Sequence, residues 1–170
     1  MKHRITDSDA IESVGRRRFI SGLAAGSTLL GSQPALVAAN SILSSGAPEL
    51  SGTEFDLMVA ETPVNFNGKP RVATTINGSV PAPTLRWQEG DTVTIRVTNH
   101  LNARTSIHWH GLILPFGMDG VPGISFKGID PGETFTYQFK VQQNGTYWYH
   151  SHSGSQEMAG MYGAIIITPI

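Results

Sequence analysis

Two histidine pairs, His108-Trp109-His110 and His150-Ser151-His152, are the residues whose type and spacing could do chemistry, and they hold four of the 6 histidines in the chain. On a β-strand the first and third residues of such a triplet project from one face and the middle residue from the other. His108 and His110 then point together with Trp109 turned away, and His150 and His152 do the same about Ser151. If the two strands meet, the imidazoles converge on one volume. Four imidazolium cations packed that closely would repel, so the rings should be neutral, with nitrogen lone pairs free for a metal. Imidazole suits copper, zinc, iron and nickel, with copper favoured by intrinsic affinity.

Rival uses of the pairs fit less well. A mononuclear cupin-type site wants a glutamate soon after the first pair, and Gly111-Leu112-Ile113-Leu114-Pro115 offers no carboxylate. A four-histidine zinc site stays open on donor type, although no general base for hydrolysis stands nearby. The Cys count is zero. Disulfides, thiolate zinc sites, Cys nucleophiles and a blue-copper centre, which needs a thiolate ligand, therefore cannot be built from this chain.

Several neighbours have subordinate readings. Met118, Met158 and Met161 carry thioethers suited to Cu(I), but Met also fills cores, and packing is the expected role. His100 reads as a surface loop residue after a strand ending near Asn99. Tyr147, Trp148 and Tyr149 should pack the core or surround the ligands, and Gln156 and Glu157, just past the second pair, are acceptors that could reach ligating imidazoles, a contact that spacing does not establish.

The elements that must position these groups are strands. Val93, Ile95 and Val97 alternate with polar residues, as do Phe135, Tyr137, Phe139 and Val141. This period of two predicts strands over 55–60, 72–76, 84–87, 92–98, 106–113, 134–141, 145–150 and 163–168. Asn77-Gly78, Glu89-Gly90-Asp91, Asp130-Pro131-Gly132 and Asn144-Gly145 punctuate them as turns. With 19 Gly, 10 Pro and only 15% charged residues, the composition suits an all-β chain. Short strands at this spacing predict a two-sheet sandwich with Greek-key connections. A formal net charge of -1 leaves no basic excess to displace counterions from phosphates, which argues against a nucleic-acid partner.

The N-terminal stretch reads as an address. Arg16-Arg17-Arg18-Phe19 opens a short apolar run, followed by Val37-Ala38-Ala39, a small-residue cleavage site. This is a twin-arginine signal layout, predicting export of the folded protein to the periplasm, with a run too short and Gly-rich for a membrane anchor. The expected organisation is a signal peptide over 1–39, a linker over 40–53 and one domain over 54–170.

The chain from about Glu54 to Ile167 resembles the first cupredoxin domain of multicopper oxidases, above all copper-resistance oxidases of the CopA type. The resemblance rests on Glu61-Thr62-Pro63-Val64-Asn65-Phe66, Asn77-Gly78-Ser79-Val80-Pro81-Ala82-Pro83-Thr84 and Glu89-Gly90-Asp91. It continues through Thr105-Ser106-Ile107-His108-Trp109-His110-Gly111, Met118-Asp119-Gly120-Val121-Pro122-Gly123 and Gly145-Thr146-Tyr147-Trp148-Tyr149-His150-Ser151-His152. It implies a cupredoxin-like Greek-key β-sandwich. In that family a blue-copper site passes electrons to a trinuclear copper cluster that reduces dioxygen to water. The resemblance implies that His108 ligates the type 2 copper, that His110, His150 and His152 ligate the type 3 pair, and that Asp119 assists proton delivery.

By the same resemblance the remaining ligands and the blue-copper Cys belong to further C-terminal cupredoxin domains or to a partner chain. The expectation is a truncated N-terminal part of a periplasmic oxidase acting on Cu(I) or phenolic substrates, inactive alone. The alternatives are a stand-alone copper-binding or storage module without turnover, and a cupredoxin fold whose metal site never assembles.

Overall fold

Alternation of apolar and polar side chains sorts the strands into two layers. The computed structural model describes residues 46–170. The signal peptide expected over 1–39 and the start of the expected linker lie outside the described residues. The strands are β1 (Glu49–Ser51), β2 (Glu54–Val64), β3 (Arg71–Ile76), β4 (Ala82–Gln88), β5 (Thr92–Asn99), β6 (His108–His110), β7 (Thr134–Lys140), β8 (Gly145–His150) and β9 (Tyr162–Thr168). A single 3₁₀ turn spans Phe116–Met118, and no α-helix occurs among the described residues. Within that range no helix is long and apolar enough to cross a membrane.

One sheet has five strands in the order β1-β4-β9-β8-β6, and the other has four in the order β3-β2-β5-β7. The β2–β3 and β8–β9 connections stay within a sheet, while every connection from β3 through β8 crosses between sheets. Both sheets mix parallel pairs (β1 with β4, β4 with β9, β2 with β5) with antiparallel ones. This is the all-β sandwich with crossing connections expected from the sequence. Its core lies between the layers, where Val93, Ile95 and Val97 of β5 are fully buried, as are Leu85 of β4 and Ile165 of β9. Trp87, Trp109, Tyr137, Phe139 and Tyr149 fill the middle as an aromatic cluster, with ring centroids 5.2 Å apart for Trp109–Tyr137 and 6.0 Å for Trp87–Trp109.

Several strand limits differ from expectation, each for a physical reason. β1 falls inside the stretch expected to be linker: Glu49–Ser51 pairs in parallel with Thr84–Arg86, and a 2.7 Å ion pair joins Glu49 to Arg86. β2 continues through Pro63, because beyond Val59 it pairs only with β3, the edge-like setting Pro tolerates. β6 is shorter than the expected 106–113. Its predecessors turn their hydrogen bonds to side chains, with Ile107 N–H donating to the Tyr137 hydroxyl and Ser106 Oγ accepting from His152 N–H. The Asn-Gly turn signal is met as expected, with φ of 52° at Asn77 and 74° at Gly78.

Candidate metal centre

Register creates the centre. β6 pairs antiparallel with β8, setting His108 opposite His150, Trp109 opposite Tyr149 and His110 opposite Trp148. Pleating sends Trp109 and Tyr149 into the core, both at 0% exposure. It sends His108, His110, Trp148 and His150 to the other face. β6 is the edge strand of its sheet, so this face lies at the rim of the sandwich.

The histidines expected to converge do so as rings. Centroids lie 5.6 Å apart for His108–His110, 5.4 Å for His108–His150, 5.5 Å for His110–His150, 5.7 Å for His108–His152 and 6.2 Å for His150–His152. At the level of single donor atoms the tightest group is His108, His110 and His150, whose ligand nitrogens all lie within 4.8 Å of one another. His152 stands just beyond the end of β8 on an exposed turn, its N–H held by Ser106 Oγ at 3.1 Å.

Hydrogen bonds settle which nitrogens are free. His108 Nδ1 lies 2.7 Å from the Asp119 carbonyl oxygen and 3.5 Å from its carboxylate. Both partners only accept, so Nδ1 carries a proton, which leaves Nε2 as the nitrogen open to a metal. His150 Nδ1 meets Ser151 O at 2.9 Å and Glu157 Oε2 at 2.9 Å, which fixes the same tautomer. His110 Nδ1 lies 3.3 Å from His150 Nε2 and therefore donates to it. To ligate a metal through Nδ1, His110 must release that proton or move it to Nε2. Burial holds the His150 pKa below its ordinary value, aided by His108 and His110 and opposed by Ser151 O and Glu157. His150 is thus a neutral imidazole at pH 7, and Glu157 Oε2 approaches its Nδ1 at 2.9 Å.

Surrounding residues frame the cluster. Trp148 stacks on His150 with centroids 4.1 Å apart and planes at 22°, and lies 4.9 Å from the His110 ring. Of the three aromatics around the second pair, Tyr149 is core, Tyr147 is half-buried and Trp148 covers the imidazoles. Gln156 turns away from the imidazoles: its Oε1 accepts from Thr105 and Ser151 hydroxyls and its amide donates to Arg104 O. His100 is exposed just after β5, as expected. The packing role holds for Met161, fully buried, and for half-buried Met118, but Met158 is 90% exposed on its turn. Ser106 was not foreseen, although a small polar residue two positions before a ligand strand is a signal for such a brace.

Clustered imidazoles, two of them with Nδ1 taken up by acceptors and Nε2 left for a metal, form a donor set that fits copper. Comparisons with known proteins agree. A family model described as multicopper oxidase matches residues 58–170. Copper resistance protein A of Pseudomonas syringae pv. tomato is 61% identical over 155 residues, covering 89% of this chain and 25% of that protein. Copper resistance protein A of Escherichia coli is 58% identical over 157 residues, again covering 89% and 25%. The chain thus spans about a quarter of the length of these curated relatives. Among solved structures, a multi-copper oxidase from Pseudomonas thermotolerans superposes with a TM-score of 0.67 at 35% identity, covering 71% of this chain and 30% of that one. The blue copper oxidase of Nitrosomonas europaea gives a TM-score of 0.64 at 42% identity, covering 71% and 39%.

Proposed function

The chain belongs to the multicopper oxidase family, and from that premise we propose that it supplies one half of a copper cluster that reduces dioxygen to water. Copper, when bound, supplies the one-electron steps of that reduction. The observation that carries this reading is the group of three imidazoles whose nitrogens lie within 4.8 Å at the rim of the sandwich. His108 would hold the type 2 copper, and His110, His150 and His152 the type 3 pair. Asp119, hydrogen-bonded to His108 through its carbonyl, keeps a half-exposed carboxylate beside the ring. A carboxylate there can pass protons inward, which oxygen reduction requires.

The rest of the reading concerns the whole protein. With no Cys in the chain, the blue-copper centre and the remaining cluster ligands come from further cupredoxin domains or from a partner chain. The reductant is Cu(I) or a phenol, as suits a relative of copper resistance proteins. The paired arginines Arg16 and Arg17 support twin-arginine export over 1–39 and a periplasmic location. The domain occupies the expected 54–170 together with β1 at Glu49–Ser51.

Copper titration of the full chain tests the site. Saturable binding is expected, and His110→Ala and His150→Ala should each abolish it or weaken it at least tenfold, about what loss of one ligand or its support brings. His152→Ala should weaken it less, since its ring lies farther from the tight group. Oxygen consumption with Cu(I) or a phenol is expected only when the remaining cupredoxin domains are supplied. Turnover by this chain alone would overturn the half-cluster reading. Absence of saturable binding would overturn the site itself. Binding without turnover in the completed protein would favour a copper-storage module.

A further inference from the structure

His108 and His150 face each other across β6 and β8, and they are held alike. Each Nδ1 meets one backbone carbonyl and one carboxylate: Asp119 O and Oδ1 for His108, Ser151 O and Glu157 Oε2 for His150. Taking the imidazole cluster as the copper site, on which this inference rests, we propose that Glu157 is a positioning residue of that site. Together with the Ser151 carbonyl, its carboxylate holds the tautomer and ring orientation of His150, so that Nε2 is the nitrogen left for the metal.

The need for such a residue follows from what the other contacts leave undetermined. Trp148 covers a face of the His150 ring at 4.1 Å. Stacking restrains the ring plane, yet it is nearly indifferent to a half-turn about the Cβ–Cγ bond, which exchanges Nδ1 with a carbon. The Ser151 carbonyl accepts from Nδ1 at 2.9 Å and favours one ring state, but it lies next to His150 in the chain and restrains the ring from one side only. Glu157 Oε2 comes within 2.9 Å of Nδ1 from a separate turn, and its negative charge attracts the N–H edge of the ring. It adds to the Ser151 carbonyl in separating the two ring states.

Glu157 can do this because its turn is pinned at both ends. Ser151 N–H donates to Met161 O and Met161 N–H to Gln156 O, each at 3.1 Å, and Gly160 N–H donates to Glu157 O at 3.1 Å. Farther along, Thr74 N–H of β3 donates to Ala159 O at 3.0 Å. Gln156 anchors the other side through Thr105 Oγ1 at 2.7 Å, Ser151 Oγ at 2.8 Å and Arg104 O at 3.0 Å. Among the described residues the Glu157 carboxylate makes no ion pair besides its contact with His150.

The test uses the full chain with Glu157→Ala and Glu157→Gln. Copper(II) titration should show Glu157→Ala weakened about 10- to 100-fold, the usual effect of removing a ligand's hydrogen-bond partner. Glu157→Gln keeps an acceptor oxygen and the side-chain size, so it should lose less and covers the case in which the Ala variant misfolds. The second readout needs no copper. Nitrogen chemical shifts of His150 should report a protonated Nδ1 in the wild-type chain and a mixture of tautomers in Glu157→Ala, with backbone spectra otherwise unchanged. Wild-type affinity and an unmixed tautomer in Glu157→Ala would overturn the proposal. If the wild-type chain binds no copper, the site reading falls instead, and the tautomer measurement alone decides the role of Glu157.

Discussion

Gly120→Ala should damage the centre from behind, and the structure gives its magnitude. Gly120 follows Asp119, whose carbonyl holds His108 Nδ1 at 2.7 Å. Its φ is +79°, and a Cβ there would fall 1.8 Å from Ile107 O, 2.7 Å from Ile107 C and 3.2 Å from His108 Cα. To reach even 3.0 Å from Ile107 O, the two backbones must part by about 1.2 Å. A shift of that size carries the Asp119 carbonyl out of hydrogen-bond range of His108. Gly123→Ala is the control, because Gly123 has a matching φ of +77° and nothing within 4 Å of its added Cβ. The control should lose about 1–2 kcal/mol, the strain of a left-handed conformation, and keep its copper affinity. Gly120→Ala adds overpacking of about 1–3 kcal/mol against a backbone that cannot yield cheaply. It should also bind copper at least tenfold more weakly, in the range of about 10- to 100-fold for lost ligand support. Urea unfolding and copper titration of both variants measure the two effects. If Gly120→Ala matches Gly123→Ala in both, the close approach behind His108 is not what sets the ligand.

Two other perturbations probe the core and the charge state. Trp109→Ala should destabilise the chain by about 3–5 kcal/mol in urea unfolding and reduce copper binding with it. Trp109→Phe should lose much less, because the Trp109 Nε1–H is buried without a partner and its removal leaves no orphaned acceptor. The pH dependence follows from the lowered pKa of His150, caused first by burial. The unfolded chain then takes up the proton more readily than the folded one. The stability that neutral His150 contributes is full above about pH 6.5 and declines as pH falls from there toward the lower folded value. Unfolding midpoints measured across that window should show this decline in the wild-type chain and a shallower one in His150→Ala.

What was legible in the sequence was whatever repeats at the strand period. Val93, Ile95 and Val97 announce β5 because one face is core and the other solvent. The histidine pairs are legible for the same reason. β1 is not, since three residues carry no period and its partner β4 begins more than thirty positions later in the chain. Gln156 and Glu157 looked alike as candidate acceptors, and only the path of the turn sends one to His150 and the other to Thr105 and Ser151. Met158 belongs to the same lesson, a Met beside a buried Met161 yet facing solvent. Turns that close by hydrogen bonds between distant segments leave little trace in local pattern.

The alternation that made the pairs visible also ties the ligands to the core. In β6 and β8, the residues between the histidines and beside them are Trp109 and Tyr149, directly opposite one another and wholly buried. Trp109 packs against Tyr137, Phe139, Trp87 and Tyr149, while the Tyr149 hydroxyl donates to Pro83 O at 2.6 Å. Slipping either strand by one residue would drive imidazoles into this cluster and expose the aromatic rings. A slip of β6 removes Trp109 from the core and a slip of β8 removes Tyr149, at a cost of about 3–5 kcal/mol, a large part of the whole stability of a domain of this size. The register that puts His108 opposite His150 is therefore held by apolar packing on the far side of the sheet. That packing needs no ligand, so the imidazole cluster is preformed in the folded chain, and the contacts at Nδ1 only have to orient rings whose positions the core has already chosen.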